Sequence, residues 1–419
     1  MPVPAADLDL AGLVRPGDRI LFGQATGEPR ALTAALVEQR GGLGGVEAFL
    51  GVMLSDTFQP QHADAITFRA LGGFGANARL SRAGVLDVVP CHISAVPGLI
   101  ADGTIGADVV FVQLSPPDSA GRHSLGPVAD YLRPALERAR VVVGEVNEHV
   151  PWTCGDTVVE AGRLDRVVRS THPPLEVPAP ELGEAERRVA EHVAERVPDG
   201  AVLQLGIGSI PEAVCGALGK RRDLGVHSGM ITDGVAELME AGVITNRRKP
   251  IDPGETVTGV LLGGRRLLQF AHRNPAIQMR PATYTHGAAV LARLERLVSI
   301  NTAVEVDLTG QVNAEVAGGF HLGAVGGAVD YVRGAVASAG GTAIIALPAT
   351  ARGGSVSRIV GRLGDGVTST ARSDTDLVVT EYGVAELRGR SLRERACSLI
   401  RIAHPDFRAG LEEAAERLC

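Results

Sequence analysis

The chain has 419 residues, 45% of them hydrophobic and 21% charged, with 53 glycines and a net charge of −7. This length calls for two or three domains, the aliphatic content excludes disorder, and glycine without a Gly-X-Y period excludes collagen. The negative balance argues against a sequence-independent nucleic-acid binder, and no apolar run approaches the ~20 residues that span a bilayer.

The N-terminus lacks a basic start followed by an apolar stretch, so no secretion signal is read. Five scattered cysteines, Cys91, Cys154, Cys215, Cys397 and Cys419, contain no Cys-x-x-Cys pair. Both features fit a cytoplasmic protein with reduced thiols and no metal site. Residues 16–36, PGDRILFGQATGEPRALTAAL, run turn, apolar strand, Gly-rich loop, proline and Ala/Leu helix. A possible strand at Ala65–Ala70 leads into Gly73-Phe-Gly75-Ala-Asn-Ala78. That segment nearly matches a dinucleotide fingerprint, but no acidic residue at a strand end ~20 positions on completes it. Val109–Leu114 reads as a buried strand. The four prolines of residues 171–180, Pro173, Pro174, Pro178 and Pro180, mark a linker. It divides the chain into domains at 1–180 and 181–419.

A helix pattern follows from Glu184, with Val189, Ala190, Val193, Ala194 and Val197 on one face. It stops at Pro198-Asp199-Gly200. Ala201–Leu205 then reads as a buried strand, Gly206-Ile-Gly208-Ser209 as its exit turn, and Pro211 as part of the next helix's first turn. Residues 198–218 thus repeat the plan of 16–36, with Leu36 and Leu218 each seven residues after Pro29 and Pro211. Strands alternating with helices, here and at Ile344–Leu347, predict two similar, open, mainly parallel α/β domains. Ligand loops belong at the carboxyl ends of their strands.

Neither Gly-x-Ser-x-Gly, His-Glu-x-x-His nor a P-loop is present, which argues against those machines. The most informative segment is SINTAVEVDLTGQVNAE, residues 299–315. Val304, Val306 and Leu308 alternate with Glu305, Asp307 and Thr309, a strand pattern, before a turn at Thr309-Gly310-Gln311. Glu305 and Asp307 therefore share a face roughly 6–7 Å apart at ~3.3 Å per residue. One reading is a half-buried strand with its acids in water; others are a carboxylate nucleophile, a glycosidase-like acid pair or a magnesium site. Gly323-Ala-Val-Gly326-Gly327 then leads into Ala328-Val-Asp330-Tyr331. This is either a tight strand-to-helix turn or a loop whose main-chain N–H groups meet an oxyanion or phosphate.

NTAVEVDLTGQVNAE, the glycine loop with Asp330, LQLGIGSIPEAV and TEYGVAELRGRSLRERA with IAHPDFR resemble the acetyl-CoA hydrolase/transferase family. The likeness is to its 4-hydroxybutyrate CoA-transferase-like branch of class I CoA-transferases. It runs nearly end to end, from GQATGEPRAL through QLSPPDSAGRHSLG to His404-Pro-Asp406-Phe. The resemblance implies a cytoplasmic homodimer that exchanges CoA between a short-chain acyl-CoA and a small carboxylate such as butyrate or 4-hydroxybutyrate. CoA is substrate, and neither a prosthetic group nor a metal is implied. Glu305 is the implied nucleophile, forming a glutamyl-CoA thioester. Gly326 and Gly327 are the expected oxyanion donors, and Gly323, Gly326, Gly327, Gly206 and Gly208 the expected CoA-binding glycines. Asp307 is read as a structural acid, Glu381 as an anchor for a loop or substrate, and His227 and Asp233 as lying near the site. Hydrolysis of acyl-CoA, or binding without turnover, are the alternatives.

Three positions depart from the family pattern. The segment His-[Ser/Thr]-Glu-Met reads His227-Ser228-Gly229-Met230 here, Ala328 stands where glutamine is common, and a Tyr-Thr-Asn-Asp-Pro-like stretch reads Tyr284-Thr285-His286-Gly287-Ala288. Loss of a carboxylate and an amide is expected to enlarge the pocket and remove fixed hydrogen bonds, which bears on acceptor choice and on transfer itself.

Overall fold

A computed structural model describes residues 3–4, 7–364 and 366–417. Cys419 and most of the N-terminal hexapeptide lie outside the described residues. The chain divides into two compact units, Met1–Pro178 with Val257–Thr285 and Phe320–Leu322, and Ala179–Thr256 with His286–Gly319 and Gly323–Cys419. The proline-rich stretch that ends the first long segment carries neither helix nor strand between Ser170 and Glu184, as its missing N–H donors require.

The first unit is built on an eight-stranded sheet. Its order is Val3–Pro4, Arg166–Ser170, Val141–Asn147, Val109–Leu114, Arg19–Phe22, Val46–Leu50, Ile66–Ala70 and Leu86–Val88, with every pair parallel. Val109–Leu114 is buried along its whole length, as a central parallel strand covered on both faces must be. The second unit orders Gly225–Val226, Val202–Leu205, Leu297–Thr302, Thr342–Ala346, Leu377–Thr380 and Gly383–Glu386. All of these pairs are parallel except the last, a hairpin. The expected pair of mainly parallel α/β sheets is what the chain forms.

Both sheets reverse their winding at the same place. After Arg19–Phe22 the next three principal strands are added on one side and the later ones on the other. After Val202–Leu205, Gly225–Val226 is added on one side and Leu297–Thr302 onward on the other. Each opening strand also feeds a glycine-containing turn and a helix, Arg30–Gln39 or Ser209–Ala217, so the sequence repeat has a matching topology. The amphipathic helix Glu184–Glu195 buries Val189, Ala190, Val193 and Ala194, with Glu184 and Glu186 in its first turn and His192 in its last. The two carboxylates complement the helix dipole.

The dinucleotide-like glycines of the first unit have structural explanations. A Cβ on Gly73 would lie 1.8 Å from the His321 carbonyl oxygen, and one on Gly75 would lie 2.6 Å from that of Met53. The helix that follows, Ala78–Arg82, has five residues.

Candidate active site

In the second unit the reversal falls between Val202–Leu205 and Leu297–Thr302, paired in register from Val202 opposite Leu297 to Leu205 opposite Ile300. A crevice outside the carboxyl ends of two such strands is where open α/β sheets bind ligands. Gly206 N–H donates to the Ile300 carbonyl at 2.8 Å, extending the pairing by one residue. Just below, Gln204 and Asn301 exchange side-chain amide bonds at 3.1 and 2.9 Å, both residues being buried. This closed pair fixes the spacing of the two strands.

The first of these strands exits through Gly206 and Gly208. Gly208 has a φ of +111° and precedes Ser209–Ala217, and no atom lies within 4 Å of the place its Cβ would take. The second strand exits through Ala303 and Val304 into a short strand, Glu305–Asp307. That strand pairs antiparallel with Val312–Asn313 and parallel with Ile359–Val360. The half-buried Arg358 guanidinium donates to the carbonyls of Val304 at 2.9 Å and Ala303 at 3.0 Å, holding the exit in place.

Glu305 is half-buried and stands directly opposite Asn313 in the hairpin. Asn313 Nδ2 donates to Glu305 Oε1 at 3.0 Å and to the Val316 carbonyl at 2.8 Å. Its Oδ1 accepts from the N–H groups of Glu315 and Val316, both at 3.0 Å. Asn313 is fully buried, so its amide has one orientation and presents one donor to the carboxylate. Gly366 closes the other side, for a Cβ there would lie 2.5 Å from Asn313 Nδ2 and 3.1 Å from Glu305 Oε1.

Asp307 does not share the environment of Glu305. It is buried, and its Oδ1 accepts from Thr309 N–H at 2.9 Å, Thr309 Oγ1 at 2.6 Å and Gln311 N–H at 3.1 Å. It pins the turn at Thr309-Gly310-Gln311, as a structural acid does, which removes both the solvated strand and the acid-pair readings. Among the described residues, no three His, Cys, Asp or Glu side chains converge as metal ligands.

The glycine loop is tied to the same segment. Gly323 N–H donates to the Glu315 carbonyl at 2.8 Å, and a Cβ on Gly323 would lie 1.9 Å from the Ala314 oxygen. Gly323 is thus required by chain packing. Gly326, at a φ of +60°, is open, with only the Ala324 oxygen at 3.9 Å from its Cβ position. Gly327 is the N-cap of the helix Ala328–Ala337, whose positive end favours developing negative charge. The neighbours of the Gly326 and Gly327 Cβ positions do not include Glu305; the side chain against Gly327 is His286.

His286 also changes the expectation of an enlarged pocket. A Cβ on Gly327 would lie 2.4 Å from its Nε2, and a Cβ on Gly229 would lie 2.6 Å from its Cε1. Its ring packs on Tyr331 at a centroid distance of 4.8 Å. The space freed at position 229 is therefore filled by the residue at 286. Burial, with His227 nearby, pushes the His286 imidazole down to about 3, so it is neutral at neutral pH. His227 is wholly buried, and Asp233 begins the helix Asp233–Glu240. Glu381 accepts from Ala349 N–H at 2.7 Å and anchors the loop after Thr342–Ala346.

Residue types and local patterns did not single out Asn313, Arg358 or the Gln204–Asn301 pair. For Asn313 a signal existed, because a hairpin turning at Thr309 sets 305 opposite 313.

Models of the acetyl-CoA hydrolase/transferase N-terminal domain and C-terminal domain match residues 5–178 and 263–415. The 4-hydroxybutyrate coenzyme A transferase of Clostridium kluyveri is 42% identical over 94% of this chain and 92% of its own length. The butyryl-CoA:acetate CoA-transferase of Anaerostipes caccae is 33% identical over 97% and 94%. Among solved structures, RipA from Yersinia pestis superposes with a TM-score of 0.93 at 34% identity, covering 98% of this chain and 96% of that one. The 4-hydroxybutyrate CoA-transferase of Porphyromonas gingivalis gives a TM-score of 0.81 at 36% identity over 98% and 96%. The chain belongs to the acetyl-CoA hydrolase/transferase family, as an enzyme of the CoA-transferase class.

Proposed function

We propose that the chain exchanges CoA between a short-chain acyl-CoA and a small carboxylate such as butyrate or 4-hydroxybutyrate, by a ping-pong route through a glutamyl-CoA thioester on Glu305. The observation that carries this reading is the placement of Glu305. It is a half-buried carboxylate just past the carboxyl end of a strand at the reversal point, held by one amide donor from Asn313. A carboxylate needs no activating base to act as a nucleophile.

In this reading a Glu305 oxygen attacks the thioester carbonyl, and the tetrahedral oxyanion collapses with loss of the C–S bond. The products are an acyl-glutamyl anhydride and CoA thiolate. The thiolate attacks the glutamyl carbonyl, releasing the first carboxylate and leaving the enzyme as a CoA thioester. An incoming carboxylate attacks that thioester to give a new anhydride and free thiolate. The thiolate then takes the acyl group and restores Glu305. The open main chain at Gly326, before the helix start, suits the oxyanions. Binding of the remote CoA nucleotide would help seat the reacting end. A boundary between two CoA-transferase domains near residue 180, a homodimer and a cytoplasmic setting complete the proposal.

Incubation with butyryl-CoA followed by mass spectrometry of the Glu305 peptide tests it. A CoA thioester on Glu305, absent in Glu305→Gln, is expected; exchange that survives in Glu305→Gln refutes the assignment. A second reading, acyl-CoA binding without transfer, is favoured by one observation, the neutral His286 ring and the absent carboxylate at Gly229 beside Gly327. It is recognised by retained acyl-CoA affinity with neither label nor turnover.

A further inference from the structure

We propose that the first unit holds a binding site for a purine mononucleotide, in a cavity of about 360 Å3 lined by Trp152 and Arg273. The cavity lies outside the carboxyl ends of three neighbouring parallel strands. Ser115 follows Val109–Leu114, Glu148 follows Val141–Asn147, and Pro173 and Pro174 lie in the segment after Arg166–Ser170. The helix Arg265–Ala271 and its exit at His272 and Arg273 complete the lining. All of these residues belong to the first unit, whereas Glu305 belongs to the second. Open α/β sheets place ligand sites outside the carboxyl ends of their strands. The volume lies in the ~300–1,000 Å3 range of small-molecule sites.

The walls are stiff and apolar. Pro116, Pro151, Pro173 and Pro174 fix their own φ angles, and Val150 and Leu268 add buried aliphatic surface. Trp152 is the one tryptophan of the chain and is half-buried. Its backbone is joined to the helix exit at two points. Trp152 N–H donates to His272 Nδ1 at 3.1 Å, and Arg273 N–H donates to the Trp152 carbonyl at 2.7 Å. Arg273 has a φ of +53°, a left-handed conformation that residues other than glycine seldom adopt. Its guanidinium lies over the indole, 5.6 Å from the ring centroid. Arg265, the other arginine of the cavity, is met by Glu176, through its N–H at 3.1 Å and its guanidinium at 3.7 Å. Among the described residues no carboxylate pairs with Arg273. Uncompensated positive charge therefore sits beside an aromatic face. A base stacks on the indole, and its phosphate meets the guanidinium in a charge-assisted pair. Glu148, exposed at the end of the middle strand, suits the ribose hydroxyls, as carboxylates at strand ends do in dinucleotide sites. With Nδ1 engaged as an acceptor, His272 keeps an Nε2–H to donate.

The full chain is titrated with AMP, adenosine, inorganic phosphate and CoA, with Trp152 emission as the signal and calorimetry for the variants. AMP should quench the emission to saturation, adenosine should bind at least roughly tenfold more weakly, and phosphate alone should leave the emission unchanged. Trp152→Leu should weaken AMP binding by roughly 5- to 150-fold. Trp152→Phe, a smaller ring, should lose severalfold, and it carries the comparison if the leucine variant does not fold. Arg273→Gln should bring AMP down to the affinity of adenosine and leave adenosine itself unaffected. Saturating CoA should leave the AMP titration in place. Neither quenching nor heat up to millimolar AMP would overturn the inference. So would AMP affinity unchanged in a folded Trp152 variant or in Arg273→Gln, because the nucleotide would then bind elsewhere. Displacement of AMP by CoA would also overturn it, since AMP would then be occupying the substrate's place.

Discussion

The neutrality of His286 has a consequence for stability that can be given a magnitude. The imidazole is pushed from an ordinary 6.5 to about 3, first by burial and then by His227. Between those values the unfolded chain takes up a proton at this ring and the folded chain does not. The unfolded state then binds more protons, so stability falls as pH drops through this window. The slope is about 1.4 kcal/mol per pH unit, and the whole shift corresponds to on the order of 5 kcal/mol. That is comparable with the entire stability of many domains. His286→Asn removes the titration while costing packing, so the difference in stability between the two chains is the quantity to follow. Urea unfolding monitored by far-UV circular dichroism, from pH 7 down to about 4.5, supplies it. The variant should be less stable at pH 7, and the gap should close by about 1.4 kcal/mol for each pH unit below 6.5. A constant gap across the series would mean that the folded ring titrates near its ordinary value, and the buried neutral imidazole would be refuted.

Asp130, in the first unit, should behave with the opposite sign. Burial raises its carboxyl from 3.8 to about 7, so the folded state holds a proton that the unfolded chain lacks, and stability falls as pH rises through that range. Asp130→Asn should flatten this trend in unfolding followed by fluorescence of Trp152, the one tryptophan and a residue of the same unit. Asn313→Ala strips a donor from Glu305 and leaves the Glu315 and Val316 N–H groups without their side-chain acceptor. It should lower stability by about 1–3 kcal/mol and slow CoA exchange, read from a denaturation midpoint and a coupled assay. Unchanged exchange in a folded Asn313→Ala chain would dismiss it as a positioning residue.

What the sequence made legible was local. Strand, glycine turn and helix follow one another within about twenty residues in both halves, and these units alone imply parallel sheets, so the architecture could be anticipated. The reversal point could be anticipated only in kind, because strand order depends on which side each crossover takes. Spacing alone left Asp307 open between an acid pair and a structural role, and the bonds to Thr309 and Gln311 are what decide it. The His286 packing was not readable: Gly229, His286 and Gly327 lie on three separate stretches of chain, and only the winding of the sheet brings them together. Read one at a time, those departures from the family pattern looked like losses; packed together, two of them are a substitution of one side chain's volume for another's.

The glycines suspected of serving CoA separate on the same physical ground. At Gly323 the obstruction is the chain's own Ala314 carbonyl, at Gly206 it is the Ile300 carbonyl at 3.3 Å, and at Gly327 it is the His286 ring. At Gly323 and Gly327 glycine is needed so that protein can approach protein, and at Gly206 the approach is tight. Gly208 and Gly326 have positive φ and open space in front, so packing against the chain does not require glycine there. Alanine at either would carry conformational strain on the order of 1–3 kcal/mol without meeting a neighbouring residue. A loss of CoA affinity larger than that strain explains, confined to Gly208 and Gly326, would mark the ligand-facing main chain. An equal loss at all five would mean that the glycines serve packing alone.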